Sequence, residues 1–101
     1  MLEKPRSYLG GFYQVHVNEE IETIGTGIRT VFVERIGKTT ITVRCPYTFA
    51  SATASRAGFE PILQNATPVE LAARRIRKIA KERRRCGYHV PDAAKRMYAN
   101  V

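Results

Sequence analysis

Hydrophobic and polar positions along this chain follow two periods, near two in the first half and near 3.6 in a later stretch. In Tyr13-Gln14-Val15-His16-Val17 apolar and polar residues alternate, the pattern of a short strand with one face buried. A β-branched and aromatic run follows, Ile28-Arg29-Thr30-Val31-Phe32-Val33-Glu34-Arg35. After Ile36-Gly37-Lys38 comes Thr39-Thr40-Ile41-Thr42-Val43-Arg44-Cys45, with Ile41, Val43 and Cys45 on one face and Thr40, Thr42 and Arg44 on the other. Two such runs around a glycine-containing turn predict a β-hairpin near 28–45. Pro46 cannot donate to a ladder and closes the second strand. Residues 1–9, with Pro5, read as a polar lead-in, and Gly10-Gly11 as a break before the first strand. Asn18-Glu19-Glu20 reads as a turn, and Ile21 to Thr26 as another short strand or an irregular link.

Thr48 to Ala57 is rich in small residues and ends at Gly58. It reads either as a helix capped by that glycine or as a loop, because Ser and Thr compete for helical hydrogen bonds. Phe59 and Ile62-Leu63 are its expected core anchors, on either side of Pro61. Thr67-Pro68-Val69-Glu70 then has the spacing of a capping box with proline at the first helical position, and Gly87 supplies a stop. Over that span Val69, Ala72, Ala73, Ile76, Ile79, Ala80 and Cys86 fall on one arc, with Arg83 at its end and Leu71 off it. A short final helix starts near Pro91-Asp92 and includes Ala94, Met97 and Tyr98. The expected fold is α+β: a small antiparallel β-sheet, the N-terminal strand plus the hairpin, packed against one long basic C-terminal helix (about 68–86) and a short terminal helix. Its 101 residues are expected to make a single domain, 1–101.

Charge sharpens this picture. The chain carries 17 Lys and Arg against 9 Asp and Glu, a net charge of +8. Residues 1–50 hold six basic and five acidic side chains, whereas residues 51–101 hold eleven and four. The excess is regional, which favours a localised anion-binding surface over general solubility. Between Arg74 and Arg85 lie eight basic residues and one acid, Glu82. Arginine predominates there, and its planar fork suits phosphate better than an ammonium does. The candidate anion-binding residues are Arg74, Arg75, Arg77, Lys78, Lys81, Arg84 and Arg85, joined by Lys38 and Arg44 of the hairpin. Tyr8, Phe12, Tyr13 and Tyr47 are the candidate base-stacking aromatics.

Other chemistry finds little support. Cys86-Gly87-Tyr88-His89 has a chelating spacer, but Cys45 and His16 would have to complete a tetrahedral site, so no metal is expected. Cys86 and His89 lack an identifiable third group for nucleophilic catalysis. Gly37-Lys38-Thr39 lies in a hairpin turn, whereas a P-loop needs a helix to follow. A non-enzymatic protein without cofactors is expected. No apolar leader and no stretch of ~18 apolar residues is present, so a cytoplasmic location with two free thiols is the expectation, and no membrane partner. The functional expectation is a nucleic-acid-binding protein that grips the phosphate backbone of DNA or RNA through the basic helix, without a known base-reading motif. The alternative is a small inhibitor or adaptor, of the kind viruses encode, that docks on an acidic or nucleic-acid-binding surface of a partner complex. The apolar arc of the helix would serve a homodimer as well as a core.

Overall fold

The two β-branched runs pair as the hairpin their alternation predicts. The computed structural model describes residues 8–19 and 24–98; the lead-in up to residue 7 and the expectations for 20–23 lie outside the described residues. The elements run β1 (Phe12–Val17), β2 (Gly27–Ile36), β3 (Thr40–Arg44), β4 (Ser51–Ser55), α1 (Arg56–Gln64), β5 (Thr67–Pro68), α2 (Ala73–Arg85) and a C-terminal 3-10 helix (Asp92–Met97). The strands make one antiparallel sheet in the order β4-β3-β2-β1-β5.

Both faces of this sheet are covered. Val15, Val17, Val31, Val33, Ile41 and Val43 meet Phe59 and Leu63 of α1 on one side. On the other, Phe32 and Phe49 meet Ile76 and Ala80 of α2, together with Val90, Ala94, Met97 and Tyr98. Central β2 therefore buries three consecutive residues, Val31, Phe32 and Val33, because side chains alternate between two cores.

A β-bulge re-phases that alternation. Val33 pairs with Val43 but Arg35 with Thr42, so Glu34 is the extra residue. Past the bulge Ile36 pairs with Ile41 and returns to the α1 core, which an unbroken strand would have denied it. Glu34 meets Arg44, the residue that sequence periodicity places on a solvated face. Arg44 is instead buried, at 7% exposure. Its Nε donates to Glu34 Oε1 at 2.7 Å, Nη2 to Oε2 at 3.3 Å, and Nη1 to the Phe49 carbonyl at 2.7 Å. Its donors face inward, so Arg44 is a structural residue and not a surface cation.

Residues 48–58 resolve into neither expected alternative. The chain turns through 46–48 and continues as β4, paired with all of β3. Ser55 ends that strand and caps α1, its hydroxyl accepting from the Gly58 N–H at 3.2 Å. Gly58 thus belongs to the first turn of a helix and does not end one. The expected anchors hold, since Phe59 and Leu63 are fully buried on either side of Pro61.

The single long helix over 68–86 is not formed. Thr67 and Pro68 pair with Gln14 and Tyr13 as β5, and the Val69 N–H donates to the Phe12 carbonyl at 2.9 Å. The outer edge of β1 has backbone groups to satisfy, and a residue before proline favours extended backbone. Those two demands outweigh the capping-box spacing. Pro68 is tolerated because it lies on an edge strand. The helix starts at Ala73 and runs thirteen residues, and its N-cap, Ala72, offers no side-chain bond. Val69 and Ala72 consequently leave the expected apolar arc, while Leu71 packs against the α2 core from outside the helix. The short terminal helix forms near its expected position, as the 3-10 helix.

Two stability measurements follow, each by urea denaturation. Arg44→Met strands the Glu34 carboxylate and lowers stability by about 3–5 kcal/mol, and adding Glu34→Leu recovers part of that loss. Ala72→Ser supplies the missing cap and raises stability by about 1 kcal/mol.

Candidate nucleic-acid interface

What α2 presents to solvent is set by what it buries. Ile76 and Ala80 are the buried residues of the helix, with Ala73 and Ile79 partly buried beside them. At about 100° per residue, Arg74, Lys78, Lys81 and Arg85 fall within roughly 60° of one another, on the side away from Ile76. All four are exposed. Their spacing of four, three and four residues makes one continuous stripe, about 16 Å long at ~1.5 Å per residue. Among the described residues no carboxylate forms an ion pair with any cation of α2; the ion pairs are Arg44 with Glu34, Arg56 with Glu60, and Lys95 with Asp92.

The other cations of α2 have structural contacts. Arg77 Nη2 donates to the Tyr98 carbonyl at 3.1 Å, and Arg84 Nη2 to the Tyr98 hydroxyl at 3.4 Å. These two lie on the flank of the buried arc, so they reach the segment after the 3-10 helix and hold it against α2. Arg75 is exposed on the opposite flank, near Glu82 on the helical wheel. Arg83 is partly buried, with its guanidinium carbon 4.5 Å from the centre of the Tyr88 ring. Seven expected α2 contacts therefore divide into a free set, Arg74, Arg75, Lys78, Lys81 and Arg85, and a tethered pair, Arg77 and Arg84. Lys38 is exposed at the tip of the β2–β3 turn, and the neighbouring Gly37 carbonyl accepts from Arg56 of α1 at 3.0 Å. It stands on a separate element from the stripe.

The end of α2 is tightly defined. Gly87 adopts φ +88°, a left-handed conformation that costs a side-chain-bearing residue more than glycine. The Gly87 N–H donates to the Arg84 carbonyl at 3.0 Å and the Tyr88 N–H to the Arg83 carbonyl at 2.9 Å. This pair of bonds is a Schellman ending. It leaves Cys86 and His89 exposed. Cys45 is partly buried, and its Sγ accepts from the Thr48 N–H at 3.4 Å. Among the described residues no three His, Cys, Asp or Glu side chains come together as a metal site.

The expected stacking aromatics are placed differently from one another. Tyr8 and Tyr13 pair at 5.1 Å against the α1 core, and Phe12 pairs with Phe32 at 5.0 Å. Burial, and then the neighbouring Tyr8, push the Tyr13 phenol above its ordinary pKa. Tyr47 is 40% exposed and lines a cleft of about 550 Å³ with Ile28, Arg29 and Cys45. Tyr88, which the sequence reading passed over, is 58% exposed. The signal for it was present: the residue after a helix-ending glycine occupies a fixed position beside the last turn.

Comparison with protein-family models, curated proteins and solved structures finds no match to this chain. Among the described residues no helix is long and apolar enough to cross a membrane.

Gly87→Ala forces a side chain into the left-handed conformation and lowers stability by about 1–2 kcal/mol. Thermal unfolding followed by circular dichroism reads the loss as a lower Tm.

Proposed function

We propose that this protein binds nucleic acid through the phosphate backbone, without catalysing a reaction, and that the exposed stripe of α2 is the contact. The observation that carries the reading is the set Arg74, Lys78, Lys81 and Arg85, exposed, clustered opposite the buried arc and without carboxylate partners among the described residues. Neighbours along this stripe repel, each pair costing about 0.2–0.5 kcal/mol. A polyanion relieves that repulsion, and each phosphate neutralised releases condensed counterions. The stripe spans the axial rise of roughly five phosphates of one strand in a duplex, at ~3.4 Å each. Arg75 extends the surface sideways at the first turn. The contact is a grip on charge and shape, because nothing in the stripe combines donors and acceptors in a base-reading arrangement.

Fluorescence anisotropy with labelled single-stranded DNA, single-stranded RNA and duplex DNA, across a range of salt, tests this. Micromolar or tighter binding is expected, with affinity falling steeply as salt rises. Changing Arg74, Lys78, Lys81 and Arg85 together to Gln reduces the slope of log K against log salt by about 3–4. Lys95→Gln, the same change at a cation away from α2, leaves the slope nearly unchanged. No binding to any of the three at about 50 mM salt sinks the reading, and the stripe is then better taken as a dock for an acidic protein surface.

A further inference from the structure

Resting on that reading, we infer that Tyr88 is a base-stacking platform at the end of the cationic stripe, and that the preferred ligand is single-stranded nucleic acid. A stacking platform needs an aromatic ring that is exposed, fixed in place and within a nucleotide or two of a grip on the backbone. Tyr88 meets each condition.

Tyr88 is 58% exposed as a residue, against 40% for Tyr47, the other exposed aromatic among the described residues. Its position is nevertheless set by main chain. Gly87 turns the chain at φ +88°, and the Tyr88 N–H is bonded to the Arg83 carbonyl at 2.9 Å. A helix ending of this type usually packs an apolar residue at the Tyr88 position against the residue at the Arg83 position. Here the Arg83 guanidinium takes that role, 4.5 Å from the ring centre. It does so with its Nε buried and lacking a hydrogen-bond partner. One face of the ring is thus backed by a cation, which leaves the other face to solvent and orients the ring before any ligand arrives.

The neighbourhood supplies the backbone grip. Arg85 ends the free stripe three residues before Tyr88, and Lys81 precedes it by one turn. Because Arg83 lies on the side of the buried arc, a strand whose phosphates run along Arg74, Lys78, Lys81 and Arg85 crosses the C-terminal end of the helix, a width of about 10 Å, to reach Tyr88. A base can stack there only if it is free of its own duplex neighbours, so the ring contributes to single strands and not to an intact duplex. No hydrogen bonding to base edges is required, so DNA and RNA single strands are bound with little sequence preference.

The test compares Tyr88→Ala, Tyr88→Leu and Tyr88→Phe with the native protein, on single-stranded and duplex oligonucleotides of equal length at fixed salt. Leucine keeps an apolar side chain at the helix ending but removes the aromatic face; phenylalanine keeps the face. Circular dichroism first establishes that each variant is folded. Native protein is expected to favour the single strand. Ala and Leu each weaken single-strand binding about 5- to 100-fold, Phe restores it, and duplex affinity changes little. Photocrosslinking from 5-bromouridine in the single strand is expected to label Tyr88. Unchanged single-strand binding in folded Ala and Leu variants overturns the platform while leaving the cationic stripe intact. A native preference for duplex overturns it as well. Failure of the native protein to bind either form removes both readings, and only that outcome does so.

Discussion

The Arg44 guanidinium holds together the bulge of β2, the end of β3 and the turn that follows. Its three hydrogen bonds, two to Glu34 and one to the Phe49 carbonyl, join residues on three successive segments of the chain. Phe49 has φ +65°, a conformation that a bulky residue adopts only when its surroundings impose it. The bonded carbonyl is part of that imposition. With the turn held this way, the Phe49 side chain is almost fully buried, in the cluster that also contains Ile76 and Ala80. The buried ion pair therefore acts at a distance on the surface of the protein: it fixes the floor on which α2 sits, and the floor fixes which side of α2 faces water.

That orientation divides the arginines of one helix into different kinds of work. Arg77 and Arg84, on the flank, are drawn to the two oxygens of Tyr98. Tyr98 and Met97 are in turn buried beneath the helix, so these contacts close the C-terminal segment over the second core. Arg83, at the edge of the buried arc, is committed to Tyr88. The residues opposite Ile76, with Arg75 on the far flank, remain available. Counting basic residues overstates the free surface of α2, because contacts with Tyr98 and Tyr88 engage the cations nearest the core.

The strands were legible in the sequence wherever the pattern was local. Tyr13 to Val17 and the runs on either side of Gly37 alternate cleanly, and each forms a strand. β4 was not legible, because Ser51-Ala52-Thr53-Ala54-Ser55 has little intrinsic strand preference; it is extended because β3 pairs with it along its whole length. The start of α2 was misplaced for a related reason. Thr67, Pro68 and Glu70 carry a helix-start signal, but the exposed edge of β1 lies some fifty residues away in sequence and no local pattern reports it. Arg44 was read as solvated because its strand alternates; the second layer on that face is built by Phe49 and the residues after 72, which the alternation of β3 cannot reveal. For the candidate site, the cations themselves were legible, whereas their division into tethered and free needed the position of Tyr98.

Local stability alone does not explain the N-terminal end of α2. The first turn contains no acidic residue, Ala72 provides no side-chain cap, and Arg74 and Arg75 stand where the helix macrodipole is already positive. A helix arranged only for stability would reverse each of those features. At the other end Arg83, Arg84 and Arg85 are favourably placed for the macrodipole, so the cations of the last turn have a structural reason to be there. Those of the first turn have none in the isolated chain. Glu70 stands nearby in sequence and is exposed, yet forms no ion pair with them among the described residues. The unfavourable terms at this end share one remedy, a bound anion that stands at the positive end of the macrodipole and neutralises both arginines. On the proposed function, a phosphate chain laid along the stripe supplies such an anion at the first turn as well as at the last, so the proposed contact is the whole stripe and not its C-terminal half alone.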